Sequence, residues 1–176
     1  FSLINFAWSK LNDFYSFDHF YEAFSHFKLI EFLVINGLSS IVYAGTCLEY
    51  GNSEGCLSEE LNCNPELPYA LGKYMTYLMI KNLQKNYDFS LTWLRLFYIY
   101  GGNESRKTLW NIYNKAVSGE KLLKLKSSGD QIRDYIHIDE LSFYIWELIK
   151  LNKNIGVVNI CSGQNRTLLE TLNFWN

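Results

Sequence analysis

The 176-residue chain lacks an apolar run of the roughly 18 residues that a membrane-crossing helix needs, its longest being broken by Glu31 and Asn36. No charged-then-apolar leader opens it. Neither charge dominates: 16 Lys and Arg against 18 Asp and Glu give a net charge of −2, without the basic footprint of a nucleic-acid binder. The four cysteines, Cys47, Cys56, Cys63 and Cys161, form no CxxC pair and lie far in sequence from the three histidines, so no metal site is expected. Reduced thiols in a cytoplasmic protein suit a chain of this size better than a disulfide framework. Only two prolines occur, and neither a proline-rich linker nor an internal repeat is visible. The first residue is Phe1 rather than Met, which reads as a piece of a longer protein.

What the chain does have is core-forming material: 48% hydrophobic and 19% charged residues, with aromatics at 17% spread along its whole length. Short apolar runs alternate with longer helical periods, the pattern of an α/β domain. Leu3 to Ala7 reads as a buried strand. Phe17, Phe20, Phe24, Phe27, Ile30 and Val34 recur at helical spacing, and Gly37 follows as the cap. Ile41 to Ala44 is the next strand, followed by a Gly/Asn/Ser-rich loop over about 51–64. Pro68 sits where a first helical turn wants it, opening a helix from Tyr69 to about Asn86. Leu91 to Phe97 is a third strand. Beyond Gly101-Gly102 the pattern predicts a helix over about 105–118, a short strand at Leu122 to Leu125, a helix capped by Asp139 and running to Leu151, and a strand at Val157 to Ile160. Thr167-Leu-Leu-Glu170 has the spacing of a capping box.

The segment that carries chemistry runs from Ile41 to Lys73. In an open parallel sheet, ligands sit at the carboxyl ends of strands, which is where Thr46 falls. Tyr69 and Lys73 are four apart, hence on one helical face. A phenol is a poor acid–base group at neutral pH; a neighbouring ammonium favours the phenolate and makes proton exchange with a sugar oxygen feasible. The Thr46 hydroxyl can bond to the same oxygen. With 13 tyrosines, a YxxxK arises readily by chance, and Tyr77/Lys81 is a second one. Only Tyr69/Lys73 follows a helix start and has a strand-end hydroxyl upstream. His19 and His26 share a helix face with no third ligand in sight. His137, among apolar neighbours, reads as a buried structural imidazole.

At these residues the chain resembles the extended short-chain dehydrogenase/reductases that act on nucleotide sugars, the epimerase/dehydratase group. Thr46 precedes Tyr50-Gly51 by the family's spacing, and Tyr69 and Lys73 match its YxxxK. Gly129-Asp-Gln-Ile-Arg-Asp-Tyr-Ile-His-Ile-Asp139 is similar to the family's G-x-x-x-R-D-Y-I-H-V-x-D stretch. Val158-Asn-Ile-Cys-Ser-Gly163 with Thr167 to Glu170 is similar to its N-I-G-x-G and S-x-x-E segment, and Phe6-Ala-Trp-Ser-Lys10 to its F-A-x-x-K. The resemblance implies a Rossmann-like parallel sheet flanked by helices, incomplete at its N-terminus. Residues 1–100 would be the remainder of the NAD(P)-binding domain, and 101–176 part of a substrate-binding region interleaved with the last strands. It implies NAD or NADP as cofactor, Tyr69 as acid–base, Thr46 orienting the substrate oxygen, and Lys73 holding the nicotinamide ribose. Ala7 and Lys10 would line the cofactor, and Arg133 would contact the substrate diphosphate. The helices at 17–34 and 69–86 would pair into a homodimer.

Two departures bear on function. No G-x-G-x-x-G or G-x-x-G-x-x-G occurs, so the pyrophosphate turn and roughly the first third of a full enzyme are expected upstream. Sugar 4,6-dehydratases of the family carry Asp-Glu directly after the Thr, where this chain has Cys47 and Leu48; Glu49, one place later on what reads as a strand-like segment, would point the other way. The expectation is therefore oxidation and reduction at C4 of a nucleotide sugar, by an epimerase or a 4-keto-sugar reductase. The alternatives are a 4,6-dehydratase, or an inactive cofactor-binding fragment or sensor. A sensor has no need of an acid–base tyrosine.

Overall fold

The computed structural model describes residues 1–103, 108–120, 124–125, 127–151 and 153–176. In chain order the elements are β1 (Ser2–Asn5), α1 (Asp18–Ile35), β2 (Ser40–Ala44), a 3-10 turn (Cys47–Tyr50), α2 (Pro68–Leu83), β3 (Ser90–Leu96), β4 (Tyr98–Tyr100), α3 (Leu109–Val117), β5 (Ile132–His137), α4 (Ile138–Leu151), β6 (Gly156–Ile160), β7 (Asn165–Thr167) and α5 (Leu168–Trp175). The contacts divide them into two units, Phe1–Leu96 with Trp146–Asn159, and Phe97–Ile145 with Ile160–Asn176. Among the described residues no helix is long and apolar enough to cross a membrane.

The first unit is built on a sheet of order β1-β2-β3-β6. β1, β2 and β3 are parallel and in register, Ile41 lying opposite Leu3 on one side and Leu91 on the other. Every residue of β2 is buried, as expected of a central parallel strand covered on both faces. Helices α1 and α2 pack against each other so closely at Gly72 that an added Cβ would lie 2.6 Å from the His19 carbonyl oxygen. The core joins Ile30 and Val34 of α1 and Ile80 and Leu83 of α2 to Ile41, Tyr43, Leu91 and Trp93 of the sheet. Within it the Tyr43 and Trp93 rings stack at 4.7 Å.

Local signals fix the helix ends. α1 stops in a Schellman arrangement: Gly37 takes φ +93°, its N–H donates to Val34 O, and Leu38 N–H reaches Leu33 O at 2.9 Å. Pro68 occupies the first turn of α2. The aromatic stripe on α1, which reads as core or a subunit contact, divides between the two: Ile30 and Val34 are buried, while Phe17 and Phe24 remain 70% and 57% exposed. These two phenylalanines lie about a third of a turn round the helix from the line through Ala23, Ile30 and Val34 that meets the core.

The second unit holds a small sheet of order β4-β5-β7, with β4 parallel and β7 antiparallel to β5. Tyr100, Trp110, Tyr113, Tyr135 and Trp175 pack together there at centroid spacings of 5.1–5.8 Å. The Thr167/Glu170 capping box is formed, with Thr167 N–H donating to Glu170 Oε2 at 2.8 Å and Glu170 N–H to Thr167 Oγ1 at 3.1 Å. The helix expected over 105–118 begins at Leu109 with Thr108 as its cap, and residues 104–107 lie outside the described set. So do Leu122 and Leu123 of the expected strand at Leu122 to Leu125; Lys124 and Leu125 are not in a strand. Asp139 is not a cap but lies in the first turn of α4. Its N–H donates to Nδ1 of His137, so the imidazole does the capping and is half exposed rather than buried.

Candidate active site

β2 delivers Ala44 and Gly45 to the carboxyl end of the first sheet, and Gly45 has no room for a side chain. An added Cβ would lie 2.2 Å from Trp93 Nε1 and 2.5 Å from Glu49 Oε1. Thr46 follows, extended and almost buried, and opens the 3-10 turn by a capping box: its N–H donates to Glu49 Oε1 at 2.9 Å while its Oγ1 accepts from Leu48 N–H at 3.3 Å. The segment is therefore a turn rather than strand-like, and Glu49 points inward. Its carboxylate is fully buried and receives Trp93 Nε1–H at 3.0 Å and Arg95 Nε–H at 2.9 Å. Burial lifts its pKa, and Arg95, the Thr46 N–H and Trp93 pull it back. Cys47 and Leu48, by contrast, are half-exposed.

The other wall is the first turns of α2. Tyr69 donates its backbone N–H to Phe14 O at 3.1 Å; its half-buried ring stacks on Phe14 at 4.5 Å and meets His19 edge-on at 5.3 Å. One turn further on, Lys73 is 2% exposed. Its Nζ donates to Ala44 O at 2.7 Å, tying the helix to the strand end two residues before Thr46. The Trp8 indole lies 4.2 Å over the same nitrogen and the Tyr43 ring 5.3 Å from it. Burial pushes the Lys73 pKa down from 10.5 to about 7, with Glu49 and Glu22 partly restoring the charged form. The amine thus sits where a small change in surroundings moves its proton.

Sequence reasoning passed over the polar layer beside this lysine. Nδ1 of His26 accepts from the Tyr43 hydroxyl at 2.6 Å and from Asn5 Nδ2 at 3.1 Å, so Nε2 carries the proton and faces Glu22 at 3.2 Å. Glu22 in turn accepts from both N–H and O–H of Ser9. Trp8 Nε1 donates to His19 Nδ1 at 3.0 Å, and the far nitrogen of His19 donates to Asp13 O. Both histidines on α1 are thus engaged in organising the loop after β1. Apart from Glu22 and His26, one turn apart on α1, no short-range pattern marks these partners, since the other contacts join residues from different segments.

Of the remaining expected site residues, Ala7 is exposed, its N–H donating to Asn5 Oδ1 at 3.3 Å. Lys10 has φ +55° and pairs with Asp18 at 3.4 Å on the surface. Arg133 belongs to the second unit, where its guanidinium lies 5.5 Å from the Tyr98 ring. The neighbouring Asp134 is bound by the N–H groups of Ser162 and Gly163. In the second YxxxK, the half-buried Tyr77 ring packs on Trp93 at 5.3 Å and Lys81 bonds Gln84 on the surface.

A parallel sheet whose strand end presents a threonine, with a tyrosine and a buried lysine one helical turn apart, defines a Rossmann-type protein with a short-chain dehydrogenase/reductase arrangement. Comparison with known proteins narrows this. The profile of the NAD dependent epimerase/dehydratase family matches residues 22–161, and the chain belongs to that family. It is 27% identical over 167 residues to dTDP-6-deoxy-L-talose 4-dehydrogenase (NAD(+)) of Aggregatibacter actinomycetemcomitans, covering 94% of this chain and 62% of that protein. With the dTDP-4-dehydro-6-deoxyglucose reductase of Escherichia coli it shares 28% over 148 residues, 79% of this chain and 46% of the relative. Among solved structures, UDP-N-acetylglucosamine 4-epimerase from Bacillus cereus superposes with a TM-score of 0.85 at 21% identity, over 98% of this chain and 61% of that one. The chain spans about half to two thirds of the length of these relatives.

Proposed function

We propose that the chain carries the acid–base centre of an NAD(P)-dependent nucleotide-sugar oxidoreductase acting at C4, either an epimerase or a 4-keto-sugar reductase. The observation that carries this reading is Lys73: a buried amine one turn from Tyr69 and bonded to the carbonyl of Ala44, the last residue of β2, two residues before Thr46. A lysine in that place costs folding energy, and proton chemistry at neutral pH gives it a use.

The donors suit a nicotinamide ribose. Lys73 Nζ has three N–H bonds, of which Ala44 O takes one; Lys73 and Tyr69 would hold the ribose hydroxyls, and the exposed backbone at Ala7 would lie alongside. NAD(P), when bound, supplies hydride exchange at C4. In ketone reduction Tyr69 gives its proton to the C4 oxygen; in oxidation it takes that proton back. Thr46 donates its hydroxyl to the same oxygen and holds the charge that develops there. A protonated Lys73 favours the phenolate of Tyr69, and Glu49 and Glu22 help to keep it protonated. Arg133 would bind the substrate diphosphate. Cys47 and Leu48, at the half-exposed positions after Thr46, offer no carboxylates for dehydration. The exposed apolar side chains Tyr21, Phe24 and Phe32 of α1, and Met75 and Leu78 of α2, favour a homodimer through these two helices.

The test uses the protein as its gene encodes it, with NAD+ and dTDP-6-deoxy-L-talose, or NADH and the matching 4-keto sugar, followed by the absorbance of reduced nicotinamide. Tyr69→Phe should lower kcat by roughly 10²–10⁴-fold, while Tyr77→Phe, packed on Trp93 in the second YxxxK, should leave it within about twofold. If both variants turn over at the wild-type rate, Tyr69 is not the acid–base.

A further inference from the structure

Under Thr46 the Glu49 carboxylate gathers N–H groups from two neighbouring strands' ends. Thr46 supplies its backbone N–H at 2.9 Å, Trp93 its indole N–H at 3.0 Å and Arg95 its Nε–H at 2.9 Å. Trp93 and Arg95 both belong to β3, the central neighbour of β2. Arg95 is itself buried, with its guanidinium 4.5 Å from the Tyr50 ring and Nη2 on the Cys63 sulfur. Among the described residues Nη1 of Arg95 has no acceptor, so the guanidinium is held by Glu49 and Cys63.

We infer that Glu49 is a positioning residue: through the backbone N–H of Thr46 it fixes the Thr46 hydroxyl against the rigid floor of β3. This rests on the reading of Thr46 as the group that meets the substrate oxygen. A buried ion pair adds little to stability compared with apolar side chains of the same volume, so stability alone gives this pair little reason to exist. Its geometry supplies one. The Thr46 backbone cannot shift without breaking its N–H bond to Glu49, and Glu49 cannot move without leaving Trp93 and Arg95. Gly45 leaves no slack behind them, since even a methyl group there would collide with both Trp93 and Glu49. The Thr46 Oγ1 is also fixed as an acceptor for Leu48 N–H, which leaves its own O–H to donate to a substrate.

A double-mutant cycle on the protein as its gene encodes it, with the same dTDP-6-deoxy-L-talose assay, tests this. Glu49→Gln keeps the side-chain size and an acceptor at Oε1 for Thr46 N–H and Trp93, but replaces the Oε2 that Arg95 bonds with an NH2, so the acceptor of Thr46 loses its tie to Arg95. It should lower kcat about 10- to 100-fold with KM little changed. In a Thr46→Ala background the same substitution should have almost no further effect, and amide hydrogen exchange at Thr46 should be faster in Glu49→Gln than in the wild type. Should Glu49→Gln not fold, Trp93→Phe removes one of the donors that hold the carboxylate and takes its place in the cycle. An equal fold-loss with and without Thr46, or unchanged exchange at Thr46, makes Glu49 merely structural and overturns the inference while leaving the site intact. Full turnover by Thr46→Ala alone overturns the site reading and this inference together.

Discussion

Replacing Lys73 with methionine keeps the length and most of the packing of the side chain and removes its charge. In the folded chain Lys73 has a pKa near 7 against an ordinary 10.5, an interval that corresponds to about 5 kcal/mol. Between those two values the unfolded chain binds a proton that the folded chain does not, so stability rises with pH from about 7 to about 10.5. Below about pH 7 both states are protonated and the full cost of burying the ammonium is borne. Lys73→Met should therefore be more stable than the wild type below about pH 7. The bond to Ala44 O and the contact with Trp8 are lost in return, offsetting roughly 1–3 kcal/mol, which leaves a net gain of about 2–4 kcal/mol. Above about pH 10 the advantage should vanish and turn into a small loss. Urea denaturation followed by far-ultraviolet circular dichroism at several pH values measures this, with the same pH series on a His26→Gln background separating the change in His26, whose pKa the Lys73 charge helps to lower. A Lys73→Met variant destabilised by the same amount at both ends of the range would refute the reasoning. The same variant should have almost no turnover, which would make this lysine a case of stability given up for chemistry.

Three further outcomes are expected. Gly72→Ala places a Cβ 2.6 Å from the His19 carbonyl oxygen, so it should lower stability by about 1–3 kcal/mol despite the better helix propensity of alanine; a denaturation midpoint equal to wild type would contradict the close helix contact. Dinucleotide binding at Lys73 should displace the Trp8 indole that lies 4.2 Å over its amine, changing the intrinsic fluorescence on titration with NADH. An identical response from Trp8→Phe would place the reporter elsewhere. With Cys47 and Leu48 after Thr46, incubation with NAD+ and dTDP-glucose should yield no 4-keto-6-deoxy sugar, and mass spectrometric loss of water from the substrate would sink that assignment.

The parts of the fold legible in the sequence are those with local causes. Gly37 at positive φ, Pro68 at a first turn and the Thr167/Glu170 box each mark a helix end within a few residues. The Tyr69/Lys73 spacing likewise places both side chains on one face of α2. What stayed hidden depends on distant partners. β5 was visible only as a motif, because its alternation puts Asp134 inside with Ile136; a buried aspartate looks wrong until the Ser162 and Gly163 amides that bind it are known. β4 and β7 are three residues each, too short for any periodicity. Whether Phe17 and Phe24 are core or a subunit contact stayed open, because the helical spacing counts hydrophobicity, not which side the sheet lies on. In the site, Trp8 and His26 meet Lys73 and Tyr43 across separate elements, and no spacing rule connects them.

The 3-10 turn after β2 advances three residues per revolution, so Cys47, Leu48 and Glu49 leave the backbone about a third of a circle apart. Two of these directions are partly open and the third ends in the Trp93–Arg95 floor. Under the proposed reading, the positions that bear on reaction type and the one that anchors Thr46 lie on different sectors of one short coil. Carboxylates introduced at 47 and 48 would enter the open sectors without touching the Glu49 anchor. The consequence is a modular turn: its inward spoke ties the threonine to the core, while the side chains on its two outward spokes take no part in that Glu49 anchor.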